Sequence, residues 1–186
     1  MADIPQEVRD PPPTILWLDE GVLVFLLIFS VIGVAATKYS PAEAYLYWIA
    51  MIPVFGIGSM VSAWAQASYH GHVRGQRLGD IIKVQLLHWG GTLATVIGAA
   101  IINYYGHLSG EDAALVIILI LGLATFLDGI RIGWRYSMAG VFLGITSVIV
   151  AATDYFFPIV LILATALIVF TVYWGKRERH QLVPEP

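Results

Sequence analysis

The stretch AALVIILILGLATFLDGI, residues 113–130, is the clearest indication of the fold, because its eighteen consecutive residues include a single charged side chain, Asp128. Leu115 to Leu121 is apolar at every position, which excludes the alternating pattern of a transmembrane β-strand. A helix of about 20 such residues crosses the ~30 Å hydrocarbon core of a bilayer. The stretch therefore predicts a membrane-spanning helix.

Five further apolar windows of similar length lie on either side of this stretch. The six predicted spans are Gly21–Thr37, Tyr45–Ala65, Val84–Asn103, Ala113–Ile130, Ser137–Thr153 and Phe157–Trp174. Of the 186 residues, 58% are hydrophobic and 12% are charged, whereas about a quarter are charged in soluble domains. We therefore predict an all-α polytopic membrane protein with six transmembrane helices and short loops.

The predicted bundle occupies residues 21–174 and leaves two short tails. Residues 1–20 form an expected N-terminal arm and interfacial segment, in which three consecutive prolines favour extended backbone. Residues 175–186 form an expected tail that is first basic and then polar, because Gly175 and the two basic residues after it are typical of a helix end. No segment outside the spans is long enough to form a soluble catalytic or nucleic-acid-binding domain.

Capping residues predict the starts of two helices. Ser40 is followed by Pro41 and Glu43, and Ser109 is followed three residues later by Asp112. A serine hydroxyl accepts from the amides of the first turn, and an acidic side chain there bonds back to the cap and complements the helix dipole. We therefore expect the second and fourth helices to begin at these sites.

Lysine and arginine positions predict the orientation of the bundle, because cytoplasmic loops retain positive charge. With six spans, nine of the ten basic residues fall on the side that holds both termini, and the exception is Lys38. The nine are Arg9, Arg74, Arg77, Lys83, Arg131, Arg135, Lys176, Arg177 and Arg179. We expect both termini to be cytoplasmic and the first span to be retained, since the acidic start lacks the basic region of a secretory signal. Such a chain suits a bacterial inner membrane.

Two rows of small residues predict close helix packing. Gly90, Ala94 and Gly98 recur at every fourth position of the third span, and Gly140 and Gly144 have the same spacing in the fifth. Small side chains let helix backbones approach each other in lipid, where lipid tails supply no hydrophobic drive for association. We expect both rows to pack within one subunit, with the third helix central, and a dimer interface is the alternative.

Ionisable side chains inside the spans are the candidate functional residues, because a charge at that depth is costly. Asp128, Arg131 and Arg135 share one helix face if the fourth helix continues that far. His88 lies about 12 Å along the third helix from its cytoplasmic start. The functional interpretation is a proton or anion site at the cytoplasmic mouth. The structural interpretation, which we favour, is an ion pair of Asp128 with one arginine and a histidine bonded to a neighbouring helix.

The sequence offers little support for catalysis or metal binding. His70 and His72 flank Gly71, but no neighbouring histidine, carboxylate or cysteine completes a metal site. The chain has no cysteine and no HExxH or GxSxG pattern. We therefore expect no catalytic residue, no metal and no cofactor.

Two functions fit these observations. The preferred one is a small non-enzymatic accessory or structural subunit that assembles in a homo-oligomer or a larger membrane complex, in contact with lipids and other membrane chains. The alternative is a small ion channel or transporter that uses the cytoplasmic-side cluster of His88, Asp128 and Arg131. Residues 38–42 and 135–139 share a basic, Tyr, Ser, any, Ala pattern, as two inverted halves of a transporter would, but the halves align poorly elsewhere.

Overall fold

The computed structural model of the chain describes residues 13–70 and 78–182. Within these ranges the structure is helical and contains no strand. The six helices are α1 (Pro13–Tyr39), α2 (Pro41–His70), α3 (Leu78–Tyr104), α4 (Gly110–Ile132), α5 (Trp134–Ala152) and α6 (Phe156–Leu182). Each contains a stretch that is long and apolar enough to span a membrane, which confirms the prediction of six such helices.

Both terminal helices extend beyond the predicted spans. α1 begins at Pro13, so that the expected interfacial segment forms its first two turns, while residues 1–12 of the predicted arm lie outside the described residues. The apolar span of α6 ends at Gly175, but the helix continues to Leu182. The prediction that Gly175 ends the helix is wrong, because this glycine does not adopt the positive φ of a terminating glycine.

Consecutive helices run in opposite directions, as contacts at both ends of the bundle show. We call the end where α1 begins and α6 ends the terminal end, and the other end the loop end. At the loop end, Lys38 of α1 lies 2.7 Å from Glu111 at the start of α4 and 3.6 Å from Asp154, just before α6. At the terminal end, the guanidinium of Arg135 from α5 lies against Gly175 of α6.

α4 is the central helix of the bundle. It contacts α1, α2, α3 and α5, and 56% of its apolar span is buried, against 28% for the spans of α3 and α6. Its buried positions are small or branched residues that fit between several neighbours, among them Ala113, Ala114, Ile117, Ile118 and Leu121. The expectation that α3 is central is therefore wrong, because among the described residues α3 contacts only the helices α2 and α4.

The closest helix pair is α4 and α5, which are joined by Gly133 alone. A Cβ added at Gly140 of α5 would lie 2.6 Å from the carbonyl oxygen of Gly122 in α4, and a Cβ at Gly129 would lie 2.7 Å from the Cα of Ser137. Gly140 thus packs against α4 as the α5 row predicts. Gly144 is different, since a Cβ there would meet no atom within 4 Å.

The small-residue row of α3 lies on the outer surface. Gly90 and Ala94 are exposed, and a Cβ at Gly90 or Gly98 would meet no atom within 4 Å. The buried side of α3 is the opposite one, which carries Trp89 and Val96. In contrast to the prediction, this row does not pack within the subunit, because small-residue spacing shows that a face permits close approach and not which neighbour occupies it. The alternative, contact with a second chain, stays a prediction.

Large apolar side chains cover the outer surface of the bundle. Exposed examples on the six helices include Phe25, Ile57, Leu87, Leu123, Val148 and Ile162. An outer surface of this composition is unfavourable in water over such an area and is typical of contact with lipid tails. The exposed side chains therefore agree with the apolar spans in indicating a membrane protein.

Candidate functional site

The site centres on Asp128, whose carboxylate is 0% exposed although it lies in the last two turns of α4. Its Oδ2 accepts a hydrogen bond of 3.3 Å from the indole Nε1 of Trp89 in α3. The same N–H donates to the hydroxyl of Ser59 in α2, at 2.9 Å. One indole donor therefore joins three helices at the buried carboxylate.

The indole is held in place by a glycine on the facing helix. A Cβ at Gly56 of α2 would lie 3.2 Å from the ring of Trp89, so the ring packs directly on the α2 backbone. Gly56 precedes Ser59 by three residues, and both therefore face α3. This close approach brings the Ser59 hydroxyl within reach of the indole nitrogen.

The second carboxylate oxygen of Asp128 has a different environment. Oδ1 is buried and has no hydrogen-bond partner. Nη2 of Arg131 lies 3.7 Å from it, which is within ion-pair range but longer than a hydrogen bond. The Arg131 side chain is 41% exposed and therefore reaches the surface of the bundle, whereas the side chain of Asp128 is buried. The sequence-predicted pair is present as a long ion pair.

His88 faces the bundle interior and is bonded to the neighbouring helix. Its Nε2–H donates to the backbone carbonyl of Ala124 at 3.0 Å, one turn before Asp128 on α4. Its ring meets the ring of Trp89 edge-on, with centroids 5.5 Å apart. The structural interpretation of His88 predicts such a hydrogen bond to a neighbouring helix. The bond does not involve the carboxylate of Asp128.

Arg135 is the one of the four candidate residues that lies apart. It belongs to α5, beyond the break at Gly133, and its guanidinium lies against Gly175 of α6. The predicted single face with Asp128 required a continuous helix, and the end of α4 at Ile132 removes that condition. The structure therefore brings together His88, Asp128 and Arg131, and assigns Arg135 to a contact between α5 and α6.

A second buried polar contact lies close by. The hydroxyls of Ser62 in α2 and Tyr136 in α5 form a hydrogen bond, and both side chains are buried. Ser62 follows Ser59 by three residues, so both α2 serines face the interior. We call the whole set the polar cluster, which consists of Ser59, Ser62, His88, Trp89, Asp128, Arg131 and Tyr136.

Sequence reasoning missed four members of the polar cluster, namely Ser59, Ser62, Trp89 and Tyr136. These residue types are uncharged, so none has a large free-energy cost in a membrane span. Each also occurs often in ordinary helix packing. The spacing of the two serines on α2 was a usable signal, because it places two hydroxyls on one helix face. Their partners lie on other helices, which the local sequence does not show.

The described residues contain no group of three histidine, aspartate or glutamate side chains that could hold a metal ion. His72, one half of the histidine pair noted in the sequence, lies outside the described part of the chain. The chemistry available at the polar cluster is therefore that of a buried carboxylate beside an imidazole and a half-exposed guanidinium. Groups of these types bind protons or small ions in other membrane proteins.

Comparison of the chain with protein-family models, with curated proteins and with solved structures gives no match. Its function is therefore inferred from the helix surfaces and the polar cluster.

Proposed function

We propose that the protein is a non-enzymatic integral membrane protein that acts as a subunit of an oligomer, with the outer face of α3 as the contact surface. The observation that carries the proposal is the small-residue row of α3, in which Gly90 and Ala94 are exposed, Gly98 is half-buried, and a Cβ at either glycine would meet no atom within 4 Å. Gly91 and Thr95 widen this row on the same outer side of the helix, and a Cβ at Gly91 also meets no atom within 4 Å.

A row of small residues gains little from contact with lipid. Glycine in a helix interior costs about 1 kcal/mol relative to alanine, and a lipid-facing glycine makes few contacts that offset this cost. Against another helix, the same glycines permit backbone approach and dense van der Waals packing. The face therefore gains more from a protein neighbour than from lipid.

A second copy of this chain is the partner that we propose. Between Lys83 and Asn103 the helix carries no lysine, arginine, aspartate or glutamate. Two copies can therefore bring their α3 faces together around a twofold axis without placing like charges in contact.

The double substitution Gly90→Leu with Gly98→Leu is expected to raise the dissociation constant of the oligomer at least about tenfold, roughly 1.4 kcal/mol. Each chain should still fold, because both Cβ positions are open within the subunit. Native mass spectrometry of the gently solubilised protein measures the oligomeric state.

The control is Ala166→Leu, which adds bulk at an exposed position of α6 and should leave the oligomer unchanged. A monomeric wild-type protein, or an oligomer that survives the double substitution, would contradict the proposal. A stable complex with a different membrane protein would identify that protein as the partner and contradict the proposal of a second copy.

We further propose that the terminal end faces the cytoplasm of a bacterial inner membrane, supported by the nine basic residues that the six-span prediction assigns to that side. Since the chain has no cysteine, single cysteines report topology cleanly. Cysteines at Ser109 and Asp154 are expected to react with an impermeant maleimide added outside intact cells. A cysteine at Arg177 should react only after permeabilisation. The reverse labelling pattern would show that the bundle has the opposite orientation.

A second candidate function, proton or ion transport, is favoured by the buried Oδ1 of Asp128, which lacks a hydrogen bond. Protein reconstituted in liposomes with an enclosed pH-sensitive dye is expected to conduct protons, and Asp128→Asn should reduce the flux at least tenfold. Asp112→Asn, at the exposed start of α4, is the control. Wild-type flux no greater than that of protein-free liposomes would rule out proton transport.

A further inference from the structure

Three aromatic rings form a cluster on the outer surface of the bundle, where α6 packs against the start of α5. The ring centroid of Trp134 lies 5.6 Å from that of Phe170 and 5.9 Å from that of Trp174. The centroids of Phe170 and Trp174 are themselves 5.9 Å apart. Each of the three residues is still 37–42% exposed, so the cluster presents an aromatic surface to its surroundings.

The aromatic cluster lies at the level where two apolar spans end. Trp134 is the first residue of the α5 span, and Trp174 immediately precedes Gly175, the last residue of the α6 span. Nη2 of Arg135 lies 3.2 Å from the position of a Cβ at Gly175, and this contact joins the start of α5 to the end of the α6 span. In a bilayer this level is the boundary between hydrocarbon and headgroups, where tryptophan is enriched.

An exposed positive charge lies directly beyond the rings on α6. Arg177 follows Trp174 by three residues and Phe170 by seven, so the three side chains share one stripe of the helix. At a rise of 1.5 Å per residue, Arg177 lies about 4.5 Å further along the helix axis than Trp174. We call Trp134, Phe170, Trp174 and Arg177 the α5–α6 corner. This corner combines an aromatic surface at the hydrocarbon edge with a cation on the headgroup side.

The sequence around the α5–α6 corner is positively charged. Residues 176–179 contain three basic residues and one acidic residue, and neither α5 nor the apolar span of α6 contains an aspartate or a glutamate. A guanidinium matches a phosphate group in both geometry and charge. An anionic phospholipid keeps the negative charge of its phosphate, whereas the ammonium of a zwitterionic phospholipid offsets it. The anionic headgroup is therefore the better match.

We propose that the α5–α6 corner binds one anionic phospholipid. Its phosphate pairs with Arg177, and the first part of its acyl chains packs on the rings of Trp134, Phe170 and Trp174. One arginine near an anionic membrane surface changes the affinity about fivefold. A soluble phosphate compound lacks the hydrocarbon that the rings contact, so a lipid is the ligand that uses both parts of the corner.

The proposed lipid site is separate from the oligomer contact. In the described part of the chain, α3 contacts α2 and α4, whereas the α5–α6 corner belongs to the two helices after them. A substitution at the corner is therefore expected to change lipid binding without changing the oligomeric state, and a monomeric wild-type protein would leave the lipid site intact.

The test is a lipid titration of the full-length protein in detergent micelles, followed by native mass spectrometry. The probes are phosphatidylglycerol and phosphatidylcholine with the same acyl chains. Wild-type protein is expected to bind its first phosphatidylglycerol with at least about fivefold higher affinity than its first phosphatidylcholine. Glycerol phosphate, which has no acyl chain, should not displace the bound lipid. Displacement would show that the site recognises phosphate alone, which would contradict the role of the rings.

Arg177→Gln is expected to weaken the binding of phosphatidylglycerol about fivefold and to leave phosphatidylcholine unchanged. The variant should fold normally, because Arg177 is exposed and lies beyond the apolar span. Lys83→Gln is the control, since Lys83 is also exposed and lies near the start of the α3 span at the same end of the bundle. It should leave both affinities unchanged.

Trp134→Leu serves as a second variant. It should weaken the binding of both lipids by a similar factor, because the ring contacts hydrocarbon that the two lipids share. Equal affinities of wild-type protein for the two lipids, unaltered binding of phosphatidylglycerol in Arg177→Gln, or an equal loss in Lys83→Gln would overturn the proposal.

Discussion

Gly140→Ala is expected to lower the free energy of unfolding by about 3 kcal/mol, or to prevent folding, which is the upper end of the range for overpacked sites. The new Cβ would lie 2.6 Å from the carbonyl oxygen of Gly122 and would also overlap the backbone nitrogen of Phe126. Both atoms belong to the α4 backbone, and a rotamer change cannot relieve either contact. The two helices would have to separate, and Gly133 alone connects them.

Gly144→Ala, one turn further along α5, is the matched control. A Cβ at Gly144 meets no atom within 4 Å, so this variant should stay within about 0.5 kcal/mol of wild type. Helix content followed during denaturation in mixed micelles measures both variants. Equal stability of the two variants would contradict the close approach of α4 and α5.

Trp89→Phe has the second large expected effect, a loss of about 2–4 kcal/mol in the free energy of unfolding. The substitution removes the donor from both Oδ2 of Asp128 and the hydroxyl of Ser59. A hydrogen bond to a charged group contributes about 1.5–3 kcal/mol, and the smaller ring adds a packing loss. The same denaturation experiment measures this loss.

Asp128→Leu should cost less than Trp89→Phe. The indole keeps its bond to Ser59, and Arg131, already 41% exposed, is left in a solvated position. Combining Asp128→Leu with Trp89→Phe should cost about 1–2 kcal/mol less than the sum of the single losses, because both partners of one buried bond are then apolar. Strict additivity would show that the 3.3 Å hydrogen bond contributes nothing to stability.

Local chemistry predicts where the helices lie. Apolar length determines the six spans, and the capping residues determine two of their starts. α2 begins at Pro41, and the hydroxyl of Ser109 accepts from the amide of Asp112, whose carboxylate accepts from the amide of Ser109. These interactions join residues close in sequence, and so the sequence is sufficient to predict them.

Helix packing could be predicted only in part. In a soluble protein, the polar side of a helix identifies the face that is not packed, but in lipid both faces are apolar and this signal is lost. The α3 and α5 rows look alike in sequence, yet Gly140 packs against α4 and Gly90 lies on the surface. The difference arises from tertiary neighbours that residue spacing does not specify.

The candidate site could also be predicted only in part. His88, Asp128 and Arg131 are evident from their cost in a membrane span. Trp89, which joins Asp128 to α2, is separated from it by 39 residues and has no distinguishing local pattern. The charged residues of the site could therefore be predicted, and the neutral residues that position them could not.

The polar cluster occupies only the terminal half of the bundle, and this asymmetry bears on transport. Toward the loop end, the interior is a plug of fully buried apolar side chains from four helices, which include Val34, Ile117, Val150 and Val160. In that half the hydroxyls of Thr37 and Ser147 donate to backbone carbonyls, whereas the buried hydroxyl of Thr146 has no hydrogen-bond partner. A path from Asp128 to the loop end would have to cross these buried apolar side chains. Ion transport through this bundle would therefore require α1, α4, α5 and α6 to separate at their apolar contacts near the loop end.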